Sequence, residues 1–166
     1  MNINYDINMN TLTFDNKPDP AIQGSGVFSG KRVVVFGLPG AFTPTCSSQQ
    51  VPGFEKHYAQ ILAKGIDEVY CTSVNDGFVM KSWFADLGIE HVKYLADGSG
   101  QFARRLGMLV YKDNLGFGVR SWRYAAVIND GVIEDFLPED GICDNCETDP
   151  YEMSTPENLL TVLWHQ

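Results

Sequence analysis

Residues Arg32 to Ser48 read Arg-Val-Val-Val-Phe-Gly-Leu-Pro-Gly-Ala-Phe-Thr-Pro-Thr-Cys-Ser-Ser. Val33 to Phe36 is a short, β-branched, apolar run closed by Gly37 and Pro39, as expected of a strand covered on both faces. After Cys46 the period changes. Val51, Phe54, Tyr58, Ile61 and Leu62 fall at helical spacing with polar residues between them, and Gly65 closes the pattern. The stretch thus leads from a buried strand through a tight loop into a helix, with a cysteine at the helix start.

A thiol in the first helical turn meets unpaired backbone N–H groups and the positive end of the macrodipole, and both favour thiolate. A free cysteine near 8.5 is only about 3% ionised at neutral pH, whereas a value near 6 leaves roughly 90% as nucleophile. Thr43 lies three residues earlier, where its hydroxyl can sit beside the sulfur. Pro39 and Pro44 lack an N–H and leave a dry wall. The competing reading is a small buried cysteine in a tight turn. Inside the helix, Pro52 deletes the bond to the Ser48 carbonyl, so the turn carrying Cys46 is expected to unwind more easily than the rest.

Pro39, Thr43 and Cys46 form Pro-x-x-x-Thr-x-x-Cys, and Gly-Leu-Pro-Gly-Ala-Phe-Thr-Pro-Thr-Cys-Ser resembles the active-site segment of peroxiredoxins of the type II or type five branch. The resemblance extends to Ser-Val-Asn-Asp-Gly-Phe-Val-Met-Lys-Ser-Trp at 73–83, Leu-Ala-Asp-Gly-Ser-Gly-Gln-Phe at 95–102 and Leu-Gly-Phe-Gly-Val-Arg-Ser-Trp-Arg-Tyr at 115–124. The first two dozen residues and the tail after Gly141 are weakly covered. The resemblance implies a thioredoxin-like fold and a thiol peroxidase acting on hydrogen peroxide and organic hydroperoxides. It also implies recycling by glutathione with glutaredoxin or by thioredoxin, and a homodimer packed through loops around the site. Phe42, Phe78, Trp83 and Phe117 are the aromatic candidates for that surface, with core packing as their competing fate.

Cleaving an O–O bond calls for a thiolate and for donors that support the departing oxygen. A guanidinium serves both needs. Five arginines are present and spacing does not choose among them. The resemblance assigns the role to Arg123 in Ser-Trp-Arg-Tyr, with Arg120 as the alternative. It gives Thr43 a hydrogen bond to the sulfur and one from the peroxide, and makes Pro39 a shield against bulk water. Attack then leaves a sulfenic acid on Cys46, which another thiol must resolve.

Cys143 and Cys146 form Cys-x-x-Cys and admit three readings: an independent thioredoxin-type disulfide oxidoreductase or redox partner module, a structural zinc site, or a resolving thiol for Cys46. The carboxylates from Glu134 to Glu152 oppose thiolate formation there, against the first. Zinc needs two more ligands, and no second paired motif supplies them. The resemblance points to Cys146, or else Cys143, as resolver, on a tail expected to be mobile. Cys71 reads as a core residue. A Cys-His hydrolase built on His57 or His91 matches no known spacing.

The chain has 166 residues, enough for one domain over 1–166, and its 44% hydrophobic and 12% aromatic content is that of a globular protein. The net charge is −9 and no lysine or arginine follows Arg123. This argues against nucleic acid and anionic lipid as partners. The N-terminus has no basic region ahead of an apolar core and no apolar run approaches the ~20 residues of a membrane span, so a cytoplasmic protein is expected. No cofactor or metal is called for.

The remaining pattern predicts an α/β fold with a central mixed sheet flanked by helices. A loose strand or hairpin around Ile7, Met9, Leu12 and Phe14 comes first. Strands follow at 69–74 and 92–95, alternating with a helix capped by Asn75 and Asp76 and a short one opened by Ser99. Asn129-Asp130-Gly131 joins a hairpin over 122–128 and 132–136, and Thr155-Pro156 opens a last helix carrying Leu159, Leu160 and Leu163.

Overall fold

The computed structural model describes residues 13–14, 24–25 and 27–164. Ile7, Met9 and Leu12 lie outside them. Strands β1 (Thr13–Phe14) and β2 (Gly24–Ser25) pair antiparallel.

A five-stranded mixed sheet forms the centre, in the order β5 (Lys93–Ala96), β4 (Glu68–Ser73), β3 (Arg32–Gly37), β8 (Tyr124–Asn129) and β9 (Val132–Pro138). β3 runs parallel to β4 and β4 to β5, while β8 is antiparallel to both β3 and β9. The apolar run 33–36 occupies the middle strand, where both faces are covered, as they are on the flanking β4 and β8. Val34 and Phe36 face one core cluster with Cys71, Trp83 and Leu159. Val33 and Val35 face the other with Phe102, Trp122 and Tyr124. This alternation is the thioredoxin-like arrangement that the sequence pattern predicts.

The turn of the β8–β9 hairpin places Asp130 at φ 48° and Gly131 at φ 81°. Two successive left-handed residues are what the tight hairpin turn demands of Asp-Gly. Asp76 caps α3 (Gly77–Leu87) by accepting from the Val79 N–H at 2.9 Å, and Thr155 Oγ1 caps α5 (Pro156–Trp164) by accepting from the Asn158 N–H at 3.1 Å.

Four local features differ from the sequence reading. Pro52 does not interrupt a regular helix: Cys46–Gln50 winds as a π-turn in which the Val51 N–H donates to the Cys46 carbonyl, and Pro52 sits in the first turn of α1 (Val51–Lys56), where its missing N–H costs little. The expected single helix to Leu62 breaks at His57, whose Nδ1 lies 2.8 Å from the Gly53 carbonyl oxygen, and restarts as α2 (Tyr58–Leu62). The cap of α4 (Gln101–Arg105) comes from Asp97 rather than Ser99; its carboxylate accepts from the Phe102 and Ala103 N–H groups at 3.0 and 2.9 Å. Finally, β6 (Leu109–Tyr111) and β7 (Val119–Ser121) form a separate two-stranded ribbon that hands the chain on to Trp122 and Arg123.

Candidate active site

Cys46 sits at the carboxyl end of β3, behind the Leu38–Thr45 loop, and is 1% exposed. Its thiol is free. Asn75, at the carboxyl end of the neighbouring β4, holds the loop in place. Its Oδ1 accepts from the Ala41 N–H at 3.0 Å and from the Ser73 hydroxyl at 2.6 Å. Phe42 takes φ 62° on this loop and is exposed, with its ring 6.5 Å from that of Trp83. Trp83 is itself buried and donates from Nε1 to the Ser47 hydroxyl at 2.9 Å, tying the residue after the cysteine to α3.

Arg123 arrives from the other half of the sheet. It is 2% exposed, and Nη1 donates to the Cys46 sulfur at 3.4 Å and also to Gln50 Oε1. Nη2 donates to Asp149 at 2.6 Å. Its Nε–H is buried and has no hydrogen-bond partner among the described residues. Burial disfavours the guanidinium charge, but the Cys46 sulfur and the Asp149 carboxylate outweigh that and hold it above its ordinary range. Gln50 was not foreseen. It lies four residues after Cys46, hence on the same helical side, is fully buried, and points Nε2 toward the Gly37 carbonyl at 3.5 Å.

Arg120 supports the wall rather than the sulfur. Its Nη1 donates to the Pro39 carbonyl at 3.1 Å and Nε to the Phe117 carbonyl at 3.2 Å, with the guanidinium 5.2 Å from the Phe117 ring centroid. Of the two arginines, only Arg123 donates to Cys46 among the described residues. Thr43 departs from expectation: its hydroxyl donates to the Gly40 carbonyl at 2.7 Å, not to the sulfur. Its proton is thereby committed, and its lone pairs remain to accept.

Pro39, Thr43, Arg123, Lys112, Phe117 and Cys146 are among the residues lining one cavity of about 330 Å³. Lys112 is 3% exposed, with Nζ 5.4 Å from the Trp122 ring centroid. Cys143 and Cys146 are joined as a disulfide, and Cys71 is a free, fully buried core residue whose thiol burial pushes well above the ordinary value.

The tail is tethered, contrary to the expectation of a loose segment. Asp144 Oδ1 accepts from the Tyr111 N–H at 2.8 Å, the Asn145 N–H donates to the Tyr111 carbonyl at 2.7 Å, and Asn114 Nδ2 donates to the Cys146 carbonyl at 3.3 Å. Ile142 and Cys146 pack against the second core cluster. The buried Glu139 carboxylate accepts from the N–H groups of Glu152, Met153 and Ser154 at 2.8, 3.0 and 2.7 Å, fixing the turn that presents Tyr151 5.7 Å from the Arg123 guanidinium. These polar ties were illegible as a pattern because they join residues far apart in the chain.

His57 is turned to Gly53 and Glu157, and His91 to Glu55. Phe78 is exposed like Phe42, and Phe117 is half-buried. Among the described residues no cluster of three or more histidine, cysteine, aspartate or glutamate side chains is arranged to hold a metal ion, and no helix is long and apolar enough to cross a membrane.

The Redoxin family profile matches residues 9–142. Over 136 residues the chain is 62% identical to peroxiredoxin y4vD of Sinorhizobium fredii, a match covering 82% of this chain and 72% of that protein. Reduced Prx3 of Vibrio vulnificus, solved in complex with H2O2, superposes with a TM-score of 0.80 at 35% identity, covering 94% of this chain and 96% of that one. Peroxiredoxin 5 of Alvinella pompejana does so with 0.78 at 28% identity, covering 97% of each. A buried thiol facing an arginine behind Pro-x-x-x-Thr-x-x-Cys, on this fold and with these relatives, makes the chain a peroxiredoxin, a thiol peroxidase of the redoxin family in its type five branch.

Proposed function

We propose that Cys46 reduces hydrogen peroxide and organic hydroperoxides through a sulfenic acid, and that the observation carrying this reading is the 3.4 Å approach of Arg123 Nη1 to the sulfur. The thiolate attacks one peroxide oxygen, an S–O bond forms as the O–O bond breaks, and the departing hydroxide or alkoxide takes a proton to leave as water or alcohol. Arg123 stabilises the thiolate and the charge that spreads over the two oxygens, and its unspent Nε–H adds a donor to the buried side of the site. Thr43, its proton given to Gly40, accepts the peroxide O–H. Pro39, held by Arg120, keeps bulk water from the sulfur.

The sulfenic acid returns to thiol at the expense of a thiol reductant, glutathione with glutaredoxin ahead of thioredoxin, in a cytoplasmic setting of antioxidant defence. The chain acts as one domain and pairs as a homodimer, for which exposed Phe42 on the active-site loop and exposed Phe78 in the first turn of α3 are the supporting observation. Peroxide consumption by purified protein with a thiol reductant tests the reading. Wild-type turnover that disappears in Cys46→Ser supports it, and turnover retained in that variant refutes it.

A further inference from the structure

We infer that Asp149 is a positioning residue of the peroxide reaction, which holds the Arg123 guanidinium from the C-terminal turn and so keeps Nη1 on the Cys46 sulfur. The inference rests on the proposed roles of Cys46 as the peroxide-reacting thiol and of Arg123 as its donor.

A guanidinium is a rigid plane, and holding one of its nitrogens still lets that plane pivot. Both of its contacts to the active-site turn, to Cys46 and to Gln50, fall on Nη1. Alone they leave the plane free to turn about that nitrogen. Asp149 takes Nη2 at 2.6 Å from a different segment, and a second nitrogen held from a second direction fixes the plane. The buried Nε–H, which has no hydrogen-bond partner among the described residues, is then fixed in direction as well. The Tyr151 ring, two residues beyond Asp149, lies 5.7 Å from the guanidinium and backs the same grip.

The grip is anchored in the main chain through Glu139. Its N–H donates to the Arg123 carbonyl at 3.0 Å, and its own carbonyl accepts from Trp122 Nε1 at 2.8 Å. Its carboxylate, on a residue 3% exposed, gathers the N–H groups of Glu152, Met153 and Ser154. One buried residue therefore ties the backbone of Arg123 to the turn that carries Asp149 and Tyr151, so the arginine is held at both ends by one segment. An ordinary surface ion pair, in which two flexible side chains meet, has no such frame and positions little.

Asp149 is the only carboxylate that bonds to Arg123 among the described residues, and it competes with the sulfur for the same cation. Its side chain is 48% exposed and screened by water, whereas Cys46 and Arg123 are 1% and 2% exposed. The charge it diverts is therefore the smaller effect, and the placement it gives is the larger.

The test measures the reaction of full-length variants with hydrogen peroxide by stopped flow, with urea midpoints as the check on folding. Asp149→Ala should slow the reaction by roughly ten-fold or more, the scale on which a small misplacement of a reacting group is felt. Asp149→Asn keeps an oxygen that accepts from Nη2 and should recover most of the rate. In an Arg123→Met background, Asp149→Ala should change the rate by less than about two-fold, because no guanidinium remains to be placed. Should Asp149→Ala lower the urea midpoint, Asp149→Ser, whose side chain also falls short of Nη2, is read in its place against the same outcomes. A wild-type rate in the shortened variant overturns the inference. So does a loss of equal size with and without Arg123, or an Asp149→Asn as slow as the shortened variant. Each of those leaves the peroxidase reading standing, whereas a wild-type rate in Arg123→Met alone removes the role of Arg123 and the inference with it.

Discussion

Arg123 donates from Nη1 to the Cys46 sulfur at 3.4 Å across 77 positions of sequence, and the central sheet is what brings them together. Gly37 ends β3 and Tyr124 begins β8, and the two are register partners. The loop to Cys46 and the residue before Tyr124 therefore leave the sheet side by side. Arg123→Met removes the charged donor while keeping much of the apolar bulk. Its reaction with peroxide should slow by about a hundred-fold, the effect of losing one charged donor worth on the order of 3 kcal/mol. Arg120→Met should cost less, since Arg120 reaches Pro39 and Phe117 instead. Stopped-flow rates under pseudo-first-order peroxide decide the matter, and a larger loss in Arg120→Met would reverse the two roles.

Asn75 is the support for the loop. Asn75→Ala leaves the Ala41 N–H and the Ser73 hydroxyl without their acceptor, which should destabilise the fold by about 1–3 kcal/mol. Asn75→Asp keeps an acceptor at the same place and should recover most of that stability. Urea denaturation midpoints of the three proteins give the comparison, and equal midpoints for wild type and Asn75→Ala would show that the loop stands without this contact.

Much of this site was legible because its signals are local. The β-branched run 33–36, the proline and threonine spacing before Cys46, and Asp130-Gly131 each report on a backbone conformation within a few residues. The π-turn was less legible, because Pro52 announces a missing bond without saying how the turn before it rewinds. Gln50, Glu139 and the loop contact of Asn75, whose Oδ1 accepts from Ala41 and Ser73 while Asp76 alone caps the helix, escaped for another reason. Each is a polar side chain whose partner lies on a different element, and no periodicity marks such a pair. The tail misled in the same way: its Gly, Asp and Asn content reads as loose, yet Asp144 and Asn145 spend their polar groups on Tyr111 and Asn114.

A pH dependence follows from Glu55 on α1. Burial pushes its carboxyl up, but the Val92 N–H, the His91 side chain and the N–H groups of His91 and Glu90 together hold it below the ordinary value. A carboxyl with a lowered folded pKa binds fewer protons folded than unfolded, so its stabilising effect is complete above the unfolded value near 4.3 and is lost as pH falls through the folded one. Glu55→Gln should therefore cost on the order of 1 kcal/mol at pH 7 and progressively less below pH ~4. Denaturant midpoints of both proteins across that range would converge; a gap that stays constant into acid would assign the effect to packing.

Gly37 and Tyr124 offer a test of how the sheet seats the site. A Cβ built on Gly37 collides with ring carbons of Tyr124, which is fully buried and stacked on Phe136 with centroids 5.4 Å apart. The ring cannot swing aside into solvent, so Gly37→Ala overpacks the junction and should destabilise by about 1–3 kcal/mol. Tyr124→Ala alone opens a cavity and should cost about 3–5 kcal/mol. In the double variant the added methyl enters the space that the ring has left. The loss in the double variant should then fall short of the sum of the two single losses by at least about 0.5 kcal/mol, as coupled neighbours do. Because Tyr124 follows Arg123 directly, Gly37→Ala should also slow the peroxide reaction through displacement of the guanidinium, while Tyr124→Ala in the same background should restore part of that rate. Additive stabilities together with an unchanged rate in Gly37→Ala would show that the ring yields and that the glycine has no part in placing Arg123.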